Sequence, residues 1–298
     1  MKIKSGFVAI VGRPNTGKST LINALIKEKV SIVSPKAQTT RNNIIGILND
    51  PKYQIIFIDT PGRNSIKNKL DIFMQQNAQD AVNGTDVILV TLDSTKKWDE
   101  EDYNIVKQFH ELKIPIIVVV TKIDAVDNVI LFEKLKSLND LERVKDIVPI
   151  SSIKNKNLDT LIDVILKNLP EIDEKNRYYP EDIYTDKSER FLVSEIIREK
   201  SLYFLNEEIP HGIAVEIVDF EQKNNIVNIS ADIICEKQSH KSIIIGAGGG
   251  MLKKIGHASR VSIQKVLRSK VDLQLFVKVK PNWRGSQAEL NNLGYKKE

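Results

Sequence analysis

The stretch Gly12-Arg13-Pro14-Asn15-Thr16-Gly17-Lys18-Ser19-Thr20 decides the fold of the first half of this chain. It fits the phosphate-binding pattern GxxxxGK[ST] at every fixed position. Its flanks give that match meaning. Phe7-Val8-Ala9-Ile10-Val11 before it predicts a buried strand, and Thr20-Leu21-Ile22-Asn23-Ala24-Leu25-Ile26 after it predicts a helix. A strand–loop–helix unit of this kind turns backbone N–H groups inward around a phosphate and adds the positive end of the helix dipole. Gly12 and Gly17 allow the tight path, Lys18 reaches the β- and γ-phosphates, and Ser19 ligates Mg2+. The competing explanation is a chance match in an ordinary strand–turn–helix.

Three further motifs remove that explanation, because each ends an apolar run. Asp59-Thr60-Pro61-Gly62 follows Tyr53–Ile58, where an Asp holds Mg2+ and the Gly62 N–H meets a γ-phosphate oxygen. Thr121-Lys122-Ile123-Asp124 follows Ile116–Val120. A carboxylate there accepts from the guanine ring N–H and exocyclic amine, and adenine offers the wrong donor pattern. Such a site rejects the wrong base by roughly 10⁴-fold, since its own polar group is left unpaired. Ile150-Ser151-Ser152 completes the base pocket.

Together these residues resemble the translation-factor-like small GTPases, and within them the Era family closely. The resemblance covers nearly the whole chain. It is carried by GRPNTGKST, Lys36-Ala37-Gln38-Thr39-Thr40-Arg41, DTPG, TKID and ISS in the first half. In the second half it is carried by Glu208–Glu216, by IIIGAGGGMLKKIG and by Val277–Arg284. It implies a Ras-like P-loop GTPase domain with a mostly parallel sheet, followed by an α+β type II KH domain that binds RNA. The expected boundaries are 1–170 for the GTPase domain, 171–188 for a linker and 189–298 for the KH domain with its tail.

By the same resemblance, Thr40 closes on Mg2+ and the γ-phosphate when GTP is bound. The RNA is the 3′ end of the small-subunit 16S ribosomal RNA, and the role is small-subunit assembly. Peripheral contact with the inner membrane surface is also implied. The resemblance gives Arg41 no arginine-finger role, and it is expected at the surface or docking RNA. Asn15 stands where related GTPases help to hold K+. Two departures are visible in the first half: Arg63 replaces the usual apolar residue after DTPG, and Thr121 stands where Asn is commoner. No water-orienting glutamine follows DTPG, so hydrolysis is expected to be slow. Thr121 is expected to loosen nucleotide binding while Asp124 keeps guanine selectivity.

Length and composition agree. A chain of 298 residues suits two domains, and 41% hydrophobic content supplies ordinary cores. No apolar run nears the roughly 20 residues of a membrane helix, and the N-terminus lacks a signal-peptide pattern, so export is not expected; the chain is expected to be cytoplasmic and a monomer. Cys235 reads as a buried small apolar residue in a reducing compartment.

Strands are expected near 6–11, 44–48, 54–59, 86–93, 115–121 and 146–150, with helices near 18–27, 70–83, 99–112, 128–140 and 157–169. That alternation gives a parallel sheet covered on both faces, with ligands at the strands' carboxyl ends. The close pair joined by Asn49-Asp50-Pro51-Lys52 reads as a hairpin at one edge. From Ser188 the order becomes helix, two strands, two helices and a strand, with Gly246-Ala247-Gly248-Gly249 between the two helices. This is the slot of the loop with which KH domains clamp single-stranded nucleic acid. Residues 237–284 carry eleven basic side chains against one acid, whereas 181–236 carry five against thirteen. A basic stretch of that kind suits a polyanion, with salt-sensitive affinity. Lys253, Lys254, Arg260, Lys280, Trp283 and Arg284 are the residues expected to meet RNA, although Trp283 equally suits the domain core. The family usually has a basic residue where Ala247 stands, which weakens the expected clamp by one phosphate contact.

Two other functions compete: an ATP-dependent P-loop kinase, which TKID disfavours, and an RNA-binding protein with a passive G domain. The latter needs a broken phosphate site, yet Lys18, Ser19, Asp59 and Gly62 are all present.

Overall fold

The computed structural model describes residues 1–36, 38–62, 66–138 and 141–296. The Arg63 departure, and Ala37 of the KAQTTR motif, lie outside the described residues. The chain divides into two compact units, and the division is not a single cut. One unit comprises Met1–Ser31, Thr40–Asn64 and Gln75–Asp186; the other comprises Ile32–Thr39, Ser65–Met74 and Lys187–Glu298.

The first unit is built on β1 (Lys2–Gly12), β2 (Ile44–Asp50), β3 (Tyr53–Asp59), β4 (Val87–Asp93), β5 (Ile116–Thr121) and β6 (Val144–Pro149) in the order β2-β3-β1-β4-β5-β6. All neighbours are parallel except the β2–β3 hairpin at the edge, as the short Asn49–Lys52 connection requires. The central strands are apolar throughout because both faces are covered: Val87–Leu92 of β4 and Ile116–Val120 of β5 are buried. One core layer contains Leu21, Ile22 and Leu25 of α1 (Lys18–Ile26), and the other contains Ile105 and Val106 of α3 (Glu100–Lys107). Helices α2 (Lys69–Asp80), α4 (Asn128–Ser137) and α5 (Leu158–Asn168) complete the alternation.

The expected linker is partly structured. Glu171–Asp173 forms β7, antiparallel to the start of β1, which is why β1 begins at Lys2 rather than near residue 6. Residues 177–185 then stitch onto the exposed hairpin. The Ile47 amide donates to Tyr184 O (2.9 Å), Gln54 Nε2 donates to Tyr179 O (2.8 Å), and Thr185 Oγ1 donates to Ile45 O (2.7 Å). An edge strand leaves its backbone groups unpaired, and this segment satisfies them.

In the second unit, α6 (Glu189–Phe204), β8 (Ala214–Lys223), β9 (Ile226–Cys235), α7 (Gln238–Ile245), α8 (Gly250–Leu267) and β10 (Lys270–Val279) follow the expected order. The sheet runs β10-β9-β8, with β9 parallel to β10 and antiparallel to β8. Val193, Ile196 and Ile197 of α6 share its core with Ile229, Ile233, Ile255 and Ile263. A second cluster joins Leu70, Phe73 and Met74 to Ala214, Ile234, Trp283, Tyr295 and Leu290 of α9 (Gln287–Asn292).

Candidate nucleotide site and RNA-facing surface

The phosphate loop leaves β1 and enters α1. Gly12 takes φ +152°, and a Cβ there would lie 2.3 Å from Thr91 Oγ1, so no other residue fits. Gly17 (φ 94°) is the N-cap of α1 and Asn15 takes φ 64°, so the loop amides turn inward. Thr16 Oγ1 donates to Arg13 O (2.9 Å) and lies 2.7 Å from Thr91 Oγ1. Lys18 is buried, with Nζ donating to Gly12 O (3.1 Å) and Arg13 O (2.9 Å). Burial lowers its pKa to about 8, against the opposing pull of the Asp59 charge. Arg13 lends the loop only its backbone. Its guanidinium pairs with Asp99 (2.9 Å), Glu101 (2.9 Å) and Asp102 (3.2 Å), at the first turn of α3.

At the end of β3, Asp59 Oδ2 accepts from Ser19 Oγ (2.7 Å), Ser31 Oγ (2.7 Å) and Thr40 Oγ1 (3.3 Å), and the Ser19 and Thr40 hydroxyl oxygens are 2.9 Å apart. Asp59 is 0% exposed, and its other oxygen, Oδ1, has no hydrogen-bond partner among the described residues. Burial raises its carboxyl pKa, while Ser19, Lys18, Ser31 and Thr40 counteract. A buried carboxylate with one oxygen held by hydroxyls and the other free of protein donors, beside those same hydroxyls, offers the oxygen donor set of a hard divalent cation. Thr60 Oγ1 donates to Ile10 O (2.8 Å), which fixes the turn into Pro61 and Gly62. A Cβ on Gly62 would lie 3.0 Å from Pro14 Cα, so the two loops approach backbone to backbone. Ser31 was not evident from sequence. Its place depends on Asn23, whose Oδ1 accepts from the Val30 and Ser31 amides (both 3.0 Å).

The base loop is tied to the phosphate loop despite its threonine. Thr121 Oγ1 donates to Thr16 O (2.7 Å) and Leu92 O (3.2 Å), and Lys122 Nζ donates to Asn15 O (2.7 Å). Asp93 was missed by sequence reasoning; its carboxylate holds Lys122 Nζ at 2.6 Å. Asp124 is exposed in the short turn Ile123–Ala125, while Ser151 is buried and Ser152 half-buried. Every sequence-predicted nucleotide residue thus lies in one unit. Arg41 does not sit at the surface: it is 1% exposed.

In the other unit, Gly246, Gly248 and Gly249 take φ of 71°, 57° and 76°, and the turn Ala247–Gly249 links α7 to α8. Nothing among the described residues lies within 4 Å of where a Cβ on Gly248 or Gly249 would stand, so the backbone is open to a ligand. Lys253, Lys254 and Arg260 project from α8 exposed, Lys254 with its Nζ 4.7 Å over the Phe204 ring. Three of the residues expected to meet RNA already have partners in the fold, and one of them, Trp283, is buried. Trp283 is 0% exposed, its Nε1 donates to Gly212 O (3.0 Å), and its ring stacks on Tyr295 at 5.8 Å. It is a core residue. Arg284 is paired with Glu236, and Lys280 with Glu289 (3.1 Å) and Glu216 (3.6 Å). Lys278 is likewise paired with Asp232 (2.6 Å), so part of the positive charge along β10 and just after it is engaged by carboxylates.

Comparison with known proteins agrees with this layout. Residues 7–122 match the family described as 50S ribosome-binding GTPase, and residues 208–284 match the KH domain family. GTPase Era of Clostridium botulinum (strain Okra / Type B1) is 48% identical over 295 residues, 99% of each chain. GTPase Era of Clostridium acetobutylicum is 47% identical over 293 residues, 98% of each. A crystal structure of Aquifex aeolicus Era bound to GDP.AlF4- superposes with a TM-score of 0.93 at 40% identity, covering 98% of this chain and 99% of that one. A crystal structure of Era with MgGDPNP and nucleotides 1506–1542 of 16S ribosomal RNA gives 0.92 at 41% identity, with the same coverage.

Proposed function

The chain belongs to the Era family of GTPases, and from that premise we propose that it is a magnesium-dependent GTP-hydrolysing switch. In this reading, nucleotide state sets its grip on the 3′ end of 16S ribosomal RNA during small-subunit assembly. The observation that carries the chemistry is the convergence of the Ser19 and Thr40 hydroxyls on buried Asp59, whose Oδ1 has no partner among the described residues. Ser19, Thr40 and Asp59 would hold Mg2+, which when bound supplies charge for the β- and γ-phosphate oxygens. The protein's own part is to position. The phosphate-loop amides and Lys18 orient the triphosphate, Gly62 presents its N–H, and Asp124 selects guanine.

The RNA assignment is supported by the open Gly246–Gly249 loop beside Lys253, Lys254 and Arg260, and by the relative solved with 16S ribosomal RNA. The family resemblance extends this reading to a cytoplasmic monomer with peripheral membrane contact. K+ beside Asn15 belongs to the same reading, and equal rates in K+ and Na+ would remove it.

The test is single-turnover GTP cleavage by the full chain with Mg2+. Without a partner it runs below about 1 s⁻¹, and Lys18→Ala abolishes it. Normal turnover by Lys18→Ala would overturn the assignment.

A further inference from the structure

The segments Ile32–Thr39 and Ser65–Met74 precede and follow the catalytic Thr40 and Asp59–Gly62, yet both pack in the unit that carries the KH sheet. The second segment is held there by Leu70, Phe73 and Met74 against Trp283 and Tyr295, and the first by one helix. Along α6, Val193, Ile196 and Ile197 face the KH core. Glu195, Arg198, Glu199 and Leu202 form a second stripe at helical spacing, and all four are buried too. In an isolated amphipathic helix that stripe faces water.

Here it grips a loop. Arg198 Nη1 donates to Gln38 O (3.4 Å), and Nη2 donates to Thr39 O. Glu195 orients the guanidinium from behind through Nε (2.7 Å) and Nη2 (2.5 Å). The Val33 amide donates to Glu199 Oε1 (2.9 Å), and Lys36 Nζ donates to Leu205 O. Gln38 Nε2 in turn donates to Asp71 Oδ1 (2.7 Å), and Asp71 Oδ2 accepts from the Lys67 amide (2.9 Å). One network therefore runs from the KH helix through the loop before Thr40 to the segment after Gly62.

We propose that Arg198 is a positioning residue for GTP hydrolysis, holding the Gln38 and Thr39 carbonyls so that Thr40 meets the metal and γ-phosphate. The Thr39 carbonyl and the Thr40 nitrogen share one rigid peptide plane, so fixing that oxygen fixes the entry to Thr40. An arginine buried to 1% with its carboxylate partner is a costly way to stabilise a helix, and its guanidinium fork suits two carbonyls a residue apart. Because α6 also builds the KH core, a change in the loop's position is felt by the RNA-binding fold. The inference rests on the Thr40 assignment above.

The test uses the full chain. Glu195→Leu/Arg198→Met removes both charges while keeping volume, an exchange that is often neutral for stability. The expected result is an unchanged melting temperature, GDP affinity within about twofold, and a GTP kcat about 10- to 100-fold lower, as misplacement of a positioned group produces. Arg198→Lys, which keeps a donor, recovers part of kcat. Thr40→Ala is the control: if it leaves turnover intact, the Thr40 reading fails first. If Thr40→Ala slows turnover but the double variant does not, Arg198 has no positioning role. Joint loss of GDP binding and melting temperature in the double variant assigns the pair to folding alone and also overturns the proposal.

Discussion

Trp283 separates a core role from an RNA role, because the two make opposite demands on one substitution. The ring is fully buried, stacks on Tyr295, and hangs its Nε1 on the carbonyl of buried Gly212. Tyr295 meets Phe73 edge-on at 6.0 Å, so the cluster loses its centre if the indole goes. Trp283→Ala removes a large buried aromatic, worth about 3–5 kcal/mol. That is a large share of the roughly 5–15 kcal/mol of a folded domain. Trp283→Phe keeps most of the apolar contact and loses the hydrogen bond, leaving Gly212 O without its donor, at a cost of about 1–3 kcal/mol. Urea titration followed by circular dichroism measures both, and single-stranded RNA binding is read below the transition. The expected pattern for Trp283→Phe is lower stability with RNA affinity within about twofold. Base stacking is worth about 1–3 kcal/mol per base. A variant that keeps its stability but binds RNA tenfold more weakly would refute the core assignment.

Other outcomes follow from the nucleotide site. Asp124→Asn shifts preference from GTP to xanthosine triphosphate in competition binding; wild-type GTP affinity in that variant removes the base assignment. Thr121→Ala cuts the ties to Thr16 O and Leu92 O, so GDP dissociation measured by stopped flow speeds up about tenfold, roughly one to two hydrogen bonds' worth. An unchanged rate would show that Lys122 alone ties the loops. Burial holds Lys18 at about 8, and phosphate binding favours the protonated amine. Triphosphate affinity is therefore nearly full below about pH 7 and falls about tenfold between pH 7 and pH 9. Calorimetry at several pH values checks this, and a flat profile contradicts it.

The nucleotide residues were legible because each motif is a local backbone geometry at a strand's end. Gly12, Gly17 and Gly62 are forced by close approach, and Thr121 and Asp124 follow directly from β5. The KH order was legible for a similar reason: helix and strand periods differ, and Gly246–Gly249 punctuates them. What stayed hidden depends on distant partners. Whether Trp283 faces a groove or a core is decided by Gly212 and Tyr295, not by its neighbours. Lys280 and Arg284 count as positive charge in sequence, but Glu289 and Glu236 neutralise them in space. The three residues of β7 carry no period of their own and exist because the start of β1 offers partners. The one available signal for Arg198 was a charged stripe running beside the apolar stripe of α6, which reads as a solvated face until a loop covers it.

The central claim is that guanine nucleotide on one unit governs the basic, glycine-looped face of the other. Its most direct test is the affinity of the full chain for a fluorescent single strand of the 16S ribosomal RNA 3′ end, titrated across a salt series with Mg2+ and either a non-hydrolysable GTP analogue or GDP. Binding is expected to be tighter with the GTP analogue, with an affinity that falls linearly on a log–log plot against salt. Equal affinity in the two nucleotide states would contradict it.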